Sequence, residues 1–476
     1  MIQLFKRSNQ SIVLLVLLIA GFSLIGTTVS TYAQQPSPTL IYVSAGGSNT
    51  SGNGSMANPY ATIQYAANVA PPHAVIIVEP GTYNEMINVT KPLTIESASL
   101  QPANTVINAI GQVYGIEIIG QNASGTVIDG LTVEHANNHG IFVQDSSHVT
   151  IEDNYVIYNG LNASQGIAEN KGLELSGTSY STAVNNFVAN NMADGGIGVS
   201  DEGAINPGGL SPGIPAPALG NIISGNVVTG NTVGCGIVVA AYNPGEGVIG
   251  NVVSNNLVYN GLPGGIVVAA DVPGTLAANN TVSYNTVLNN LIPGIIVHSN
   301  TPGDVVTGTQ IIGNTISGNA GFGPQTTGIT IIGNINGATI ATDTVISGNI
   351  IHNEFFGVLA LNATGTQVYS NNLFDSTVNV PVQGAALSSV TLGSLSSEQS
   401  SLQSSLSSLQ SALNSLQGSN SQLQSTVSSL QSSAATTSQV NSLSSSLGTT
   451  TDVAYLSLIV ALVLGIIAIA LALRRK

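Results

Sequence analysis

The 476-residue chain is 43% hydrophobic yet only 6% charged, with 22 acidic residues against seven lysines and arginines. Five of those seven lie at the termini, leaving Lys91 and Lys171 as the only basic residues between positions 34 and 473. Nothing there can neutralise phosphates, which excludes nucleic-acid binding through a basic surface. The single cysteine, Cys235, excludes an intrachain disulfide framework.

In chain order, Lys6 and Arg7 precede a short apolar run, Ile12–Ile25, and small residues end at Ala33. This layout predicts a secretory signal peptide over residues 1–33. Residues 34–384 are then expected outside the cell. They contain short Val- and Ile-rich runs separated by Asn, Gly and Pro, the pattern of many short strands. The runs repeat. Aligned on the glycine before each apolar triplet, Gly236, Gly265, Gly294, Gly328 and Gly357 follow one another at steps of 29, 29, 34 and 29 residues. Gly115, Gly140, Gly172 and Gly196 are earlier, less regular members.

A repeat of this length predicts one turn of a parallel β-helix, a solenoid whose coils pair at ~4.8 Å. Strand alternation then points Ile237, Val239, Ile266, Val268, Ile295 and Val297 inward. The recurring Asn226, Asn256, Asn285, Asn314 and Asn349 suit corners, where Asn tolerates left-handed backbone and stacks in side-chain ladders.

The stretch Ile41–Ser97 resembles the entry module of pectin-lyase-like right-handed parallel β-helix proteins. Tyr42-Val43, Pro59-Tyr60-Ala61-Thr62-Ile63, Pro80-Gly81-Thr82-Tyr83 and Lys91-Pro92-Leu93-Thr94-Ile95 carry the likeness. It implies a mainly β, single-stranded right-handed solenoid, with an entry module at about 40–97 and a capping helix at Thr62–Val69. It does not imply one function, because such helices serve both as enzymes and as inert scaffolds. Lyases of this fold usually take a proton with Arg or Lys. The ectodomain has no arginine, and its two lysines sit in unpromising contexts, so lyase chemistry is not expected.

Half of the acidic residues, 11 of 22, fall between Glu117 and Glu202, which makes this the place to look for chemistry. Glu117 and Glu174 take the same outward position in "GIEI" and "GLEL". Asp145 and Asp201 each follow an inward Val by two residues, and His135, His139 and Glu202 stand near. Asp145, Glu174, Asp201 and Glu202 are therefore the catalytic candidates if the head hydrolyses a glycoside. The same carboxylates would suit Ca²⁺. The plain alternative is a solvated acidic face, so no cofactor is expected and catalysis is not the leading expectation. Asn-X-Ser/Thr sequons begin at Asn49, Asn53, Asn88, Asn122, Asn162, Asn279 and Asn362, which predicts a glycosylated head.

Residues 385–450 are rich in Ser, Leu and Gln. With Leu402 at d, the register runs Leu406 a, Leu409 d, Leu413 a, Leu416 d, Asn420 a and Leu423 d, predicting a parallel coiled-coil stalk in which Asn420 fixes register. Glu398 is the one charged residue between Leu387 and Thr451. Ser and Gln do not titrate, so such a stalk would be indifferent to acid, and an acidic exterior is inferred. Val453–Leu473 is uncharged, long enough to span a ~30 Å hydrocarbon core, and followed by the basic 474–476, which the positive-inside rule places in the cytoplasm.

The order of β-rich head, Ser/Leu/Gln coil, span and basic tip resembles the small membrane-anchored S-layer stalk subunit of Sulfolobales archaea. The resemblance implies a homo-oligomer, a trimer rather than a dimer, beneath a lattice of a larger S-layer protein. The expected function is thus anchoring of a surface lattice to the membrane. The alternative is a tethered protein that binds or hydrolyses surface glycans.

Overall fold

The computed structural model describes residues 38–388, except 100, 162–170, 193–194, 203–214, 232, 262–263 and 334–339, together with Gln410. The chain divides into two units, Met1–Ser389 and Val390–Lys476, and all the described residues but Gln410 belong to the first. The expected signal peptide, Asn162, the coil with Asn420, and the span at 453–473 lie outside the described residues. Among those described, no helix is long and apolar enough to cross a membrane.

The described strands form four sheets of 13, 11, 11 and five strands, and every pairing between strands is parallel. One coil shows the plan. Val252–Ser254 lies in sheet 1, Leu257–Tyr259 in sheet 2, Ile266–Ala270 in sheet 3 and Leu276–Ala278 in the small sheet 4. Each strand pairs with its counterpart one coil on, so the fold is a parallel β-helix. Its expected right-handed sense accords with the general rule for parallel crossovers.

The glycine alignment marks the true register. Ile116, Ile141, Leu173, Ile197, Ile237, Ile266, Ile295, Ile329 and Val358, each directly after a repeat glycine, pair in unbroken succession along sheet 3. The six side chains expected inside are all fully buried in one continuous core. The glycines are required by packing. A Cβ on Gly265 would strike the carbonyl oxygen of Gly294 and a methyl of Val287. The longer step before Gly328 arises at the corner between sheets 2 and 3, where Asn319–Thr327 stands in place of Asn290–Pro293.

The corners are held by buried amides. Asn154, Asn186, Asn226, Asn256, Asn285, Asn314, Asn349 and Asn372 form one ladder, each Nδ2 donating to the next Oδ1 at 2.9–3.1 Å. Asn256 shows the full pattern. Its Oδ1 accepts from the backbone N–H and the Nδ2 of Asn226, while its own Nδ2 donates to Asn285 Oδ1 and to the Ile223 carbonyl. The residue before each ladder member from Asn154 to Asn349 adopts left-handed backbone, as Asn255 does at φ 57°.

Two further ladders occupy the other corners. Asn159, Asn191 and Asn231 stack between sheets 2 and 3. That series meets Gly261, then resumes with Asn290 and Asn319 and closes on Glu354. Asn221, Asn251 and Asn280 stack before sheet 1.

The helix Ile63–Val69 lies where the entry module predicts. Thr62 caps it through its side chain, and Ile63, Ala66 and Ala67 join the solenoid core. The Glu85 carboxylate accepts the first backbone N–H groups, from Ile63 and Gln64, at 2.9 Å each. Lys91 holds the other end, its Nζ donating to the carbonyls of Asn68 and Ala70 at 2.9 and 2.6 Å. A carboxylate at the N-terminus and an ammonium at the C-terminus both complement the helix dipole.

Replacing Asn256 with Ala should cost about 3 kcal/mol, since it removes four ladder bonds and leaves the Asn226 backbone N–H buried without its partner. Replacing the neighbouring Asn255 with Gly, which suits left-handed backbone, should be close to neutral. Denaturant midpoints of the head check this, and equal losses would remove the ladder from its role.

Candidate functional site

The outer face of sheet 3 carries an array of chemically distinctive side chains on three consecutive coils. Immediately before the repeat glycine stand Tyr114, His139 and Lys171. Two positions beyond the glycine, in strict register, stand Glu117, Phe142 and Glu174. All six are at most 3% exposed although they point away from the core. Farther along the solenoid the same positions turn apolar or small: Cys235 and Val238, Gly264 and Val267, Pro293 and Ile296.

The array is tightly connected. His139 stacks on Phe142 at 4.1 Å between ring centres, and Tyr114 packs on Phe142 at 5.1 Å. The Lys171 backbone N–H donates to His139 Nδ1 at 2.9 Å, and the Lys171 carbonyl oxygen stands 3.2 Å from the same nitrogen. Burial, then the Lys171 charge, pulls the His139 imidazole down to about 3, so it is neutral across the physiological range. Burial also raises the Tyr114 hydroxyl, with the Glu117 charge adding to the effect.

Glu117 and Glu174 both pair with Phe142 and so stand two coils apart, roughly 10 Å at the usual strand spacing. Glu117 accepts from Asn88 Nδ2 at 3.0 Å and Gln144 Nε2 at 2.8 Å. Burial still holds its carboxyl above the ordinary range. Glu174 accepts from Ser200 Oγ at 2.8 Å and lies over Gly198, where any Cβ would strike its carboxylate.

The expectation of one groove joining Asp145, Asp201, Glu202 and the two histidines needs correction. Asp201 is fully buried, and its Oδ1 accepts the backbone N–H groups of Tyr242 and Asn243 at 2.7 and 3.1 Å. It therefore braces the turn of the next coil. Glu202 follows it, half-buried. Asp145 sits half-buried at a left-handed corner, φ 48°. His135 belongs to another surface, stacked on Tyr158 and 3.2 Å from Asn108 Oδ1. Among the described residues, no group of three or more His, Cys, Asp or Glu side chains has the arrangement of a metal site, so no Ca²⁺ ligand set is assigned.

A second acidic feature went unread in the sequence. Glu96, Asp129 and Glu152 occupy one outward position on successive coils of sheet 1, flanked by Ile77 and Val184. Asp129 is raised to about 7, by burial first and then by Glu152, Asp153 and Glu96. Burial also raises Glu354 to about 7 and Asp201 to about 6, and it lifts Glu85, Glu96 and Glu152.

Of the expected glycosylation sites, Asn53, Asn88, Asn122, Asn279 and Asn362 are exposed, and Asn49 is half-buried.

All of this lies within a parallel β-helix protein. Residues 45–307 match the model of the DUF1565 family, described as a protein of unknown function, and the chain belongs to that family. No curated protein matches the sequence. Solved structures similar to it include the A-module of mannuronan C-5 epimerase AlgE4 from Azotobacter vinelandii, at 15% identity and TM-score 0.47, covering 69% of this chain and 92% of that one. A family 28 exopolygalacturonase from Yersinia enterocolitica is similar at 12% identity and TM-score 0.48, covering 74% and 78%. Pectate lyase Pel9A is similar at 16% and 0.43, covering 73% and 82%. Likeness at this level concerns the fold alone.

Carboxyls raised in the folded state bind protons more tightly there than in the unfolded chain. The stability they confer is therefore full below about pH 4 and is lost as pH rises through 6 to 7. His139 acts oppositely, costing stability as pH falls from 6.5 towards 3, and so does Asp375, which hydrogen bonds from Thr377 hold below its ordinary range, but these are two groups against seven carboxyls. The melting temperature of the head should thus rise on acidification from pH 8 to pH 4. Asp129→Asn should raise it at pH 8 and leave it nearly unchanged at pH 4. A head that melts earlier in acid would contradict this balance.

Proposed function

We propose that the chain is a cell-surface structural protein whose β-helix head stands on an oligomeric stalk and anchors an S-layer-type protein lattice to the membrane. The observation that carries the structural part of this reading is the fate of the candidate carboxylates. Asp201 braces a turn, Glu174 is packed over Gly198 and bonded to Ser200, and Glu117 is held by Asn88 and Gln144. The raised carboxyls suit an acidic exterior, as does the uncharged sequence of residues 399–450. The stalk, the trimeric state, the membrane span and the larger lattice partner are supported by the heptads, the apolar 453–473 and the resemblance in layout.

Gentle detergent extraction of native envelopes should co-purify this chain with one larger protein in fixed stoichiometry. Recovery of the chain alone, as a monomer, would end the anchoring proposal.

A second reading is favoured by one feature, the packing of Tyr114, His139, Lys171, Glu117 and Glu174 into a single array, since perturbed titratable groups gather at functional sites. On that reading the head acts on surface glycans. Release of sugars by the purified head, abolished by Glu174→Gln with the melting temperature preserved, would install it in place of the first.

A further inference from the structure

We propose that Asn122, Asn279 and Asn362 carry N-linked oligosaccharides along one edge of the β-helix, and that Asn49 and Asn88 do not. The inference rests on the exterior placement proposed above, and the fold separates sequons that the sequence alone presents as equals.

Asn49 is used by the entry module. Its Oδ1 accepts the backbone N–H groups of Ala61 and Thr62 at 2.9 and 3.3 Å, and its Nδ2 donates to Thr62 Oγ1 at 2.9 Å. A sugar on that nitrogen would displace the loop that leads into the capping helix. Asn88 is tied through Nδ2 to Glu117, and its backbone N–H donates to Gln64 Oε1.

Asn53 lies in the entry module and Asn162 outside the described residues, and the remaining three sequons share a location. Asn122 lies in the short helix Gln121–Ala123, between the sheet 3 strand Ile116–Ile119 and the sheet 1 strand Val127–Asp129. Asn279 follows the sheet 4 strand Leu276–Ala278 and precedes Thr281–Ser283 of sheet 1. Asn362 follows Phe356–Leu361 of sheet 3 and precedes Gln367–Tyr369 of sheet 1. All three thus stand on the edge that joins sheet 3 to sheet 1. They sit five and three coils apart, roughly 24 and 14 Å along the axis at the usual spacing.

All three are exposed, and their Nδ2 atoms make no hydrogen bond among the described residues. Asn279 and Asn362 adopt left-handed backbone, φ 55° and 53°, at corners projecting from the solenoid. The Oδ1 of Asn279 rests where a Cβ on Gly308 would stand, so the amide oxygen lies against the next coil. In the transfer, Nδ2 attacks the anomeric carbon of a lipid-linked oligosaccharide. The carbon–oxygen bond to the lipid phosphate breaks, the phosphate leaves as an anion, and Nδ2 loses one proton.

The test uses the full chain in its native cells. Protease treatment of intact cells first establishes on which side the head lies, and glycopeptide mass mapping follows. Saccharide is expected on the peptides containing Asn122, Asn279 and Asn362, with Asn49 and Asn88 unmodified. A bare peptide at any of the three, or saccharide at Asn49 or Asn88, in a head that protease reaches, overturns the inference while exterior placement stands. A head that protease cannot reach overturns the exterior reading and the inference with it. Thr281→Ala and Thr364→Ala, which leave the Asn279 and Asn362 corner residues in place, should each lower the intact mass by one saccharide with the melting temperature nearly unchanged. An unchanged mass counts against the site concerned.

Discussion

Each asparagine in the longest ladder after the first, Asn256 among them, uses both amide protons and both lone pairs of its side-chain oxygen within the protein. A solenoid must turn its chain at least three times per coil, and every turn withdraws backbone groups from the sheets. Buried without partners, those groups would each cost about 1–3 kcal/mol. The asparagine supplies the missing partners, and left-handed backbone at the residue before it makes the turn. Because each amide also bonds its neighbours above and below, the corners couple the coils in addition to the sheets.

The repeat was readable because one steric demand recurs in every coil. A side chain cannot stand at the position of Gly265, so glycine returns with each turn and marks the register. The inward Ile and Val, five members of the first ladder and the helix at Ile63–Val69 follow from the same reading. The other two ladders were harder to see. One is interrupted at Gly261 and ends in Glu354, so it is not a pure asparagine series. The residue before each repeat glycine was also overlooked, although Tyr114, His139 and Lys171 form a ladder on the same count.

Roles that depend on partners distant in sequence were not legible at all. Lys91 reaches back to the carbonyls of Asn68 and Ala70, and Asp201 reaches forward to Tyr242 and Asn243. Composition gave the sparsity of charge but not its arrangement. Few basic groups are at hand, so carboxyls stacked coil upon coil relieve their repulsion by holding protons. Burial is the larger cause and works in the same direction, so the buried carboxyls move up, whereas Asp375, which accepts from Thr377 at the surface, moves down.

The step from Gly294 to Gly328 is longer than those on either side of it, yet the flanking strands keep register without a slip. Sequence added at a corner therefore bulges outward and leaves the axis untouched, whereas sequence added as a whole coil lengthens it. Height and surface are independent variables in such a molecule. A lineage can set the height of the head in increments of one rung, ~4.8 Å, by duplicating or losing a repeat. Each new junction meets the same amide, the same glycine and the same apolar pair that the old one had, so the molecule works as a ruler whose divisions are written in its own repeat.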